Sequence, residues 1–389
     1  MKRLLIYSLM LCMTASLAAQ NYNDTTFNFT VVKENKITPV KNQANSSTCW
    51  SFSGLAFFES ELLRLGKPAV DLSEMFVVHH SYSDKADKYL RMNGTSNFAP
   101  GGSFYDDVYV WKTYGMIPDS VMNGLNYGET KHNHGELDAL TGAFMTTMVK
   151  NPNKKISSAW KPAFEGILNA YLGKLPTEFT VNGKKYTPVS YANSLGLNMD
   201  DYVSITSFTH HPFYTKFAIE IPDNWRWAES YNIPLDEFDR IFDYAVENGY
   251  TVAWGSDVSE KGFTRNGIGL LPETKAENLN GTDQAKWVGK QKDMKYDIKG
   301  PMIEEKVTQE SRQKGFDNYQ TTDDHGMLIY GIAKDQNGTP YYMVKNSWGT
   351  DNKYKGTWYV SKPFVMSKTI NILVHKDAVP KDIRKKLGI

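Results

Sequence analysis

The stretch Gln43-Ala44-Asn45-Ser46-Ser47-Thr48-Cys49-Trp50-Ser51-Phe52-Ser53 constrains the fold most. From Cys49 to Leu65 the chain is rich in apolar residues (Trp50, Phe52, Leu55, Phe57, Phe58, Leu62, Leu63), contains no proline and stops at Gly66. This pattern predicts a largely buried helix of about four or five turns, with Thr48 as N-cap and Gly66 as C′. A cysteine in the first turn meets the positive end of the helix dipole and unpaired backbone N–H groups. Both favour thiolate and suit a nucleophile. The commoner role of a lone cysteine is packing in a core, and the far end of the chain tips the balance toward chemistry.

The N-terminus reads as a processing signal. Lys2 and Arg3 precede the apolar run Leu4 to Leu17, and Ser16-Leu17-Ala18 or the neighbouring Ala19 offers a cleavage site. The run is too short for an ordinary membrane span, and no later stretch is long enough. Leu11 before Cys12 fits a lipid-attachment site poorly. Residues 1–19 are therefore expected to be a signal peptide, and the protein to be exported, periplasmic or secreted. The chain has two cysteines. Cleavage removes Cys12 and leaves Cys49 alone, with no intramolecular disulfide possible in an oxidising compartment. A formal net charge of +1 gives no global electrostatic case for nucleic acid or an anionic membrane. With 41% hydrophobic residues, the chain can build a sizeable core.

After a polar arm, Val31-Val32 begins a short strand that Lys33 to Lys36 should break. Pro39 stiffens an extended segment that delivers Gln43 beside the cysteine helix. Ser73 is the expected N-cap of a second helix. That helix carries His79-His80, whose neighbouring rings point apart and suit packing better than a metal. Gly101-Gly102 marks a loop that backbone can approach closely. Helices are expected over Phe104 to Tyr114 and Leu235 to Glu247, and a buried strand over Tyr250 to Gly255. Between about 120 and 250 no motif carries obvious chemistry. His132-Asn133-His134 and His210-His211-Pro212 read as loops, and residues 272 to 298 as an exposed polar segment.

The second half of the site lies in the last third. Asp323-Asp324-His325-Gly326 runs into a strand, and Tyr341 to Lys345 forms another that ends in Asn346-Ser347-Trp348-Gly349. Asn337-Gly338 between them signals a type I′ hairpin turn. The hairpin sets His325 and Asn346 at the same end of adjacent strands, where the amide can fix the imidazole tautomer.

Gln43, Cys49-Trp50, Asp324-His325-Gly326 and Asn346-Ser347-Trp348-Gly349, in that order, resemble the papain-like cysteine peptidases. Leu72-Ser73-Glu74, Gly101-Gly102, Asp201-Tyr202-Val203-Ser204 and Gly255-Ser256-Asp257-Val258 add a resemblance to the bleomycin hydrolase or aminopeptidase C branch. The resemblance implies an α+β papain-like fold over residues 20–389. A helical half built on the cysteine helix would face an antiparallel β-barrel-like half, with a mostly helical insertion at about 120–250. It implies Cys49 as nucleophile, His325 as base and then acid, Asn346 as its orienter, and Gln43 with the Cys49 N–H as oxyanion hole. Gly101, Gly102 and Trp348 would border the substrate cleft. The reaction is peptide hydrolysis through a thioester and calls for no metal or other cofactor. Aminopeptidase action is the expectation; an endopeptidase or dipeptidase with an open cleft, or a binding protein on the same scaffold, are the alternatives. Peptides are the expected partners, nucleic acid and membrane are not, and a hexamer follows from the resemblance alone. In that branch the terminal carboxylate of a C-terminal arm meets the substrate amine. Here the ending Lys381 to Ile389 is basic and would put positive charge at that place.

Overall fold

A computed structural model of the chain describes residues 27–273 and 298–389. The signal-peptide expectation and most of the polar loop at 272–298 lie outside the described residues.

Helix α1 (Cys49–Arg64) forms where the apolar run predicts it, and residues Trp50 to Leu62 are all buried. It ends as Gly66 requires. Gly66 takes φ +75°, its N–H bonds Leu63 O at 3.0 Å, and Lys67 N–H bonds Leu62 O at 2.9 Å. This is a Schellman closure that a Cβ at Gly66 would strain. The start differs from expectation. Thr48 occupies the N-cap position but makes no capping bond; its hydroxyl pairs with Ser46 Oγ at 2.6 Å. Helix α2 (Glu74–Arg91) is capped as expected by Ser73, whose Oγ accepts from Phe76 N at 3.0 Å. Its two histidines pack rather than ligate: His79 bonds Asn169, and His80 stacks on Tyr114 at 4.0 Å. Helix α3 (Phe104–Tyr114) follows the Gly101-Gly102 loop.

The remaining elements are α4 (Gly135–Val149), α5 (Trp160–Leu172), the hairpin β2 (Phe179–Val181) and β3 (Lys184–Tyr186), and α6 (Pro188–Leu195). Then come β4 (Tyr202–Thr206), β5 (Lys216–Ala218), β6 (Glu229–Asn232), α7 (Leu235–Glu247), β7 (Val252–Ser256) and β8 (Ile268–Gly269). Helix Gln309–Asp317 precedes β9 (His325–Lys334), β10 (Pro340–Lys345) and β11 (Thr357–Ser361), and helix Lys362–Lys368, β12 (Thr369–His375) and helix Lys381–Leu387 follow. Strands β4–β12 lie in the order β5-β6-β4-β12-β7-β9-β10-β11-β8, and β1 (Thr30–Glu34) pairs with β9. Strand β1 runs through Lys33 and Glu34, which were expected to break it; a register shift between Val31 and Lys33 accommodates them on the sheet edge. The stretch at about 120–250 carries α4 to α7 together with the short strands β2 to β6, of which β4 to β6 join the main sheet.

The central strands are buried on both faces, with period-two alternation. Ala253, Leu328 and Leu373 face the core around α1 and α2. Val252, Trp254, Met327, Ile329, Ile372 and Val374 face a second core, with Ile241 and Phe242 of α7. The helix Lys381–Leu387 adds Ile383 and Leu387 to that second core. Its polar residues pair outward: Arg240 grips Asp382 at 2.8 and 2.9 Å, and Lys386 pairs with Glu237. The basic ending is thus docked on α7, and none of its residues lines the cleft that holds Cys49. The charge expected at the amine site is not there.

Candidate active site

Sheet and helix meet at a cleft lined by Cys49, Trp50, Gly102, His325 and Gly326 among others. Cys49 is the first residue of α1 and is half-buried. Strand β9 comes close to α1 here because Gly326 has no side chain. A Cβ on it would lie 2.5 Å from Ser53 Oγ and 3.3 Å from Trp50 Cα. The Gly326 N–H is thereby brought to the Cys49 sulfur, to which it donates a hydrogen bond.

His325 opens β9, and Asn346 follows the last residue of β10. The hairpin aligns them as expected: His325 Nε2 lies 2.8 Å from Asn346 Oδ1. The same oxygen accepts from Ser347 N at 2.7 Å, which fixes the amide as acceptor. Nε2 therefore carries the proton, and Nδ1 keeps the lone pair. Trp348 stacks on the imidazole at 4.7 Å and is 38% exposed, while His325 and Asn346 are only 6% and 2% exposed. The indole lies between the imidazole and solvent. The turn is not type I′: Gly338 has φ +83°, but Asn337 is not left-handed. Asp335 accounts for this. Its Oδ1 accepts from both Asn337 N and Thr339 N at 2.9 Å, and its backbone closes a longer loop with Thr339.

Gln43 is buried. Its N–H donates to Ser347 O at 2.8 Å, and its Oε1 accepts from Ser347 Oγ at 2.6 Å. With the carbonyl engaged, the side-chain NH₂ is the group left to donate. The 132–134 loop braces this segment: Asn45 N bonds His132 O and His134 N bonds Asn45 O. His134 is buried, not solvated as its polar surroundings suggested. Gly102 lines the cleft, and a Cβ there would lie 2.8 Å from the Trp50 ring. Trp50 Nε1 holds the same loop through Pro100 O at 3.1 Å. Gly101 faces Asp223 instead, as described below. Residues 219–230, which carried no recognisable motif, supply a whole wall of the cleft through Ile219, Ile221, Asp223 and Asn224. His210 and His211 lie in a loop, sharing the Glu220 carboxylate at 3.0 and 2.8 Å.

Beneath the site lies a charge network that motif reading missed. Lys41 pairs with Glu74 at 2.6 Å, with Glu59 at 3.7 Å and with Asp71. Lys345 Nζ donates to Thr38 Oγ1, which donates to Glu59. Burial works against the Lys41 charge, but Glu74 and Glu59 outweigh it and hold the ammonium above the usual lysine range. This network ties the Gln43 segment to α1, α2 and β10.

The electrostatics correct the thiolate expectation. Burial, with Asp323 and Asp223 nearby, pushes the Cys49 thiol up to about 12 against the hydrogen bond from Gly326. Burial likewise pushes His325 down to about 4, opposed by Asn346 and Asp324. A thiolate at Cys49 therefore calls for transfer of its proton to His325.

The His325 shift has a consequence for stability. Its folded value lies below its ordinary 6.5, so the folded state resists a proton that the unfolded chain accepts. Stability should be intact above about pH 6.5 and fall progressively as pH drops through about 4, by roughly 3 kcal/mol from this group. Urea unfolding at stepped pH checks this, and His325→Gln should flatten that part of the curve. For Asn346→Ala, kcat should fall roughly tenfold to a hundredfold without vanishing, because the amide orients a base whose whole contribution is about 10²–10⁴. Complete loss in a folded variant would contradict the orienting role.

The model of the Peptidase C1-like family matches residues 177–388, more than half of the chain. The chain belongs to this family. The model of the papain family cysteine protease matches residues 25–97, the part that carries Gln43 and Cys49. Aminopeptidase C of Streptococcus thermophilus is 24% identical over 408 residues, covering 91% of this chain and 83% of the relative. Aminopeptidase C of Lactococcus lactis subsp. cremoris is 22% identical over 391 residues, covering 88% and 82%. The crystal structure of PepW from Lactobacillus rhamnosis HN001 superposes with a TM-score of 0.66 at 20% identity, over 92% of this chain and 84% of that one. The papain-like α+β fold expected from the motifs is therefore the fold this peptidase family member has.

Proposed function

We propose that this peptidase removes residues from the amino-terminal end of peptides through a Cys49 thioester. The observation that carries the chemistry is the His325–Asn346 hydrogen bond, with His325 lining the same cleft as Cys49. Cys49 Sγ attacks the peptide carbonyl as its proton passes to His325. The oxyanion is met by the Gln43 side-chain NH₂ and the Cys49 backbone N–H, each such donor being worth about 3 kcal/mol. His325 then gives its proton to the departing amine as the C–N bond breaks. Water, deprotonated by His325, attacks the thioester and releases the acid. Asn346 holds the imidazole tautomer throughout, and Trp348 keeps water from that hydrogen bond.

The amino-terminal preference is supported by the names of the Aminopeptidase C relatives, which align along most of their length. The deciding experiment gives the purified protein, under reducing conditions, one fluorogenic peptide with a free N-terminus and the same peptide acetylated, with and without a thiol alkylator. Alkylator-sensitive cleavage of the free peptide alone is expected. Equal cleavage of both would replace the aminopeptidase reading by an endopeptidase one. Export is part of this proposal, supported by Lys2, Arg3 and the apolar run to Leu17. The N-terminal sequence of protein recovered outside the cytoplasm tests it.

A further inference from the structure

An enzyme that prefers free amino termini needs a group that holds an ammonium and rejects an amide. The chain's last residues, 381–389, pack on α7 and supply no such group to the cleft. Two carboxyl groups line it instead.

Asp223 lies in the connection between β5 and β6 and lines the cleft. Its Oδ1 accepts from Asn97 Nδ2 at 3.2 Å. Its Oδ2 is pressed so closely on the Gly101 backbone that a Cβ on Gly101 would lie 2.0 Å from it. The loop glycine at 101 is thus needed to seat a carboxylate, not only to line a groove. Lys85 is within electrostatic reach of Asp223, but its ammonium is occupied with the carbonyls of Ala99 and Gly101.

Asp323, two residues before His325, also lines the cleft. The residue is part-buried and keeps surface at the cleft. It forms no hydrogen bond or ion pair with any described residue. Both carboxyls act electrostatically on the Cys49 thiol, and Asp223 acts on Asp323, so the three groups are neighbours. Burial, then Asp223 and Asp324, pushes Asp323 up to about 8. A part-buried carboxyl with no protein partner and a like charge beside it resists ionising. A cation placed between the two would relieve both terms at once.

We propose that Asp223 and Asp323 anchor the α-ammonium of the substrate's first residue, so that this pair, and not the chain's own terminal residues, restricts cleavage to free amino termini. The inference rests on the aminopeptidase reading for its ligand class. Its test does not need turnover. In full-length Cys49→Ala protein, calorimetry gives the dissociation constants of one peptide in free-amine and N-acetylated forms, with and without Asp323→Asn or Asp223→Asn, both near-isosteric. The parent should prefer the free amine, and Asp323→Asn should cut that preference at least tenfold, with unchanged circular dichroism. Asp223→Asn should cut it in the same direction. A parent without preference, or a preference that survives both substitutions, would overturn the anchor. Turnover by the wild type judges the peptidase reading separately, so failure of one is not mistaken for failure of the other.

Discussion

Cys49→Ala protein should fold with the same thermal midpoint as the wild type and should cleave no peptide above background. The side chain is half-buried at the start of α1, and its sulfur accepts backbone hydrogen bonds only, from Gly326 and Trp50, so its loss removes little packing. The chemistry, by contrast, has no substitute nucleophile. Removing a nucleophile that acts as a unit with its base costs on the order of 10⁶ in kcat. His325→Ala should cost nearly as much, and the double variant scarcely more, because neither group works without the other. Steady-state kinetics with melting curves for all three variants checks this. Wild-type activity in Cys49→Ala would overturn the mechanism.

The second large effect is on stability. In Lys41→Met the carboxylates of Glu59 and Glu74, only 2% and 4% exposed, lose the ammonium that balances them. Stripping one partner from a buried ion network typically costs about 3–5 kcal/mol, because the remaining charge stays buried. The variant should therefore unfold at clearly lower urea concentration. The exposed pair Lys112–Asp200, 49% and 72% exposed, is the control: Lys112→Ala should change stability by less than about 1 kcal/mol. Equal effects at the two sites would mean that the buried network is not what holds the Gln43 segment.

What could be read from the sequence were features fixed within a few residues of themselves. Gly66 ends α1 because only a left-handed residue closes it, and the apolar spacing of Leu235 to Glu247 gives α7 its bounds. His325 and Asn346 were legible because one hairpin aligns them, even though its turn differs from the Asn337-Gly338 signal. What escaped depends on contacts between distant segments. Asp223 carries no motif, and it enters the cleft only because β5 and β6 join a sheet whose next strands are β4 and β12. Lys41, Glu59, Glu74 and Lys345 look like ordinary solvated charges until α1, α2 and β10 close around them. The Cys49 thiol was expected to be lowered by its helix, and burial in the assembled cleft reverses the sign. The basic ending looked like a charge near the amine; Ile383 and Leu387, spaced four apart, are what dock it on α7.

The most direct test of the central claim is to trap the acyl-enzyme. The protein is mixed with an activated ester of an amino acid bearing a free amine, quenched in acid within milliseconds, and its intact mass and peptide map are measured. The account predicts a mass increase equal to one acyl group, carried by the peptide containing Cys49 and removed by hydroxylamine. A burst of product with Cys49 unmodified, or an acyl group on any other residue, would contradict it.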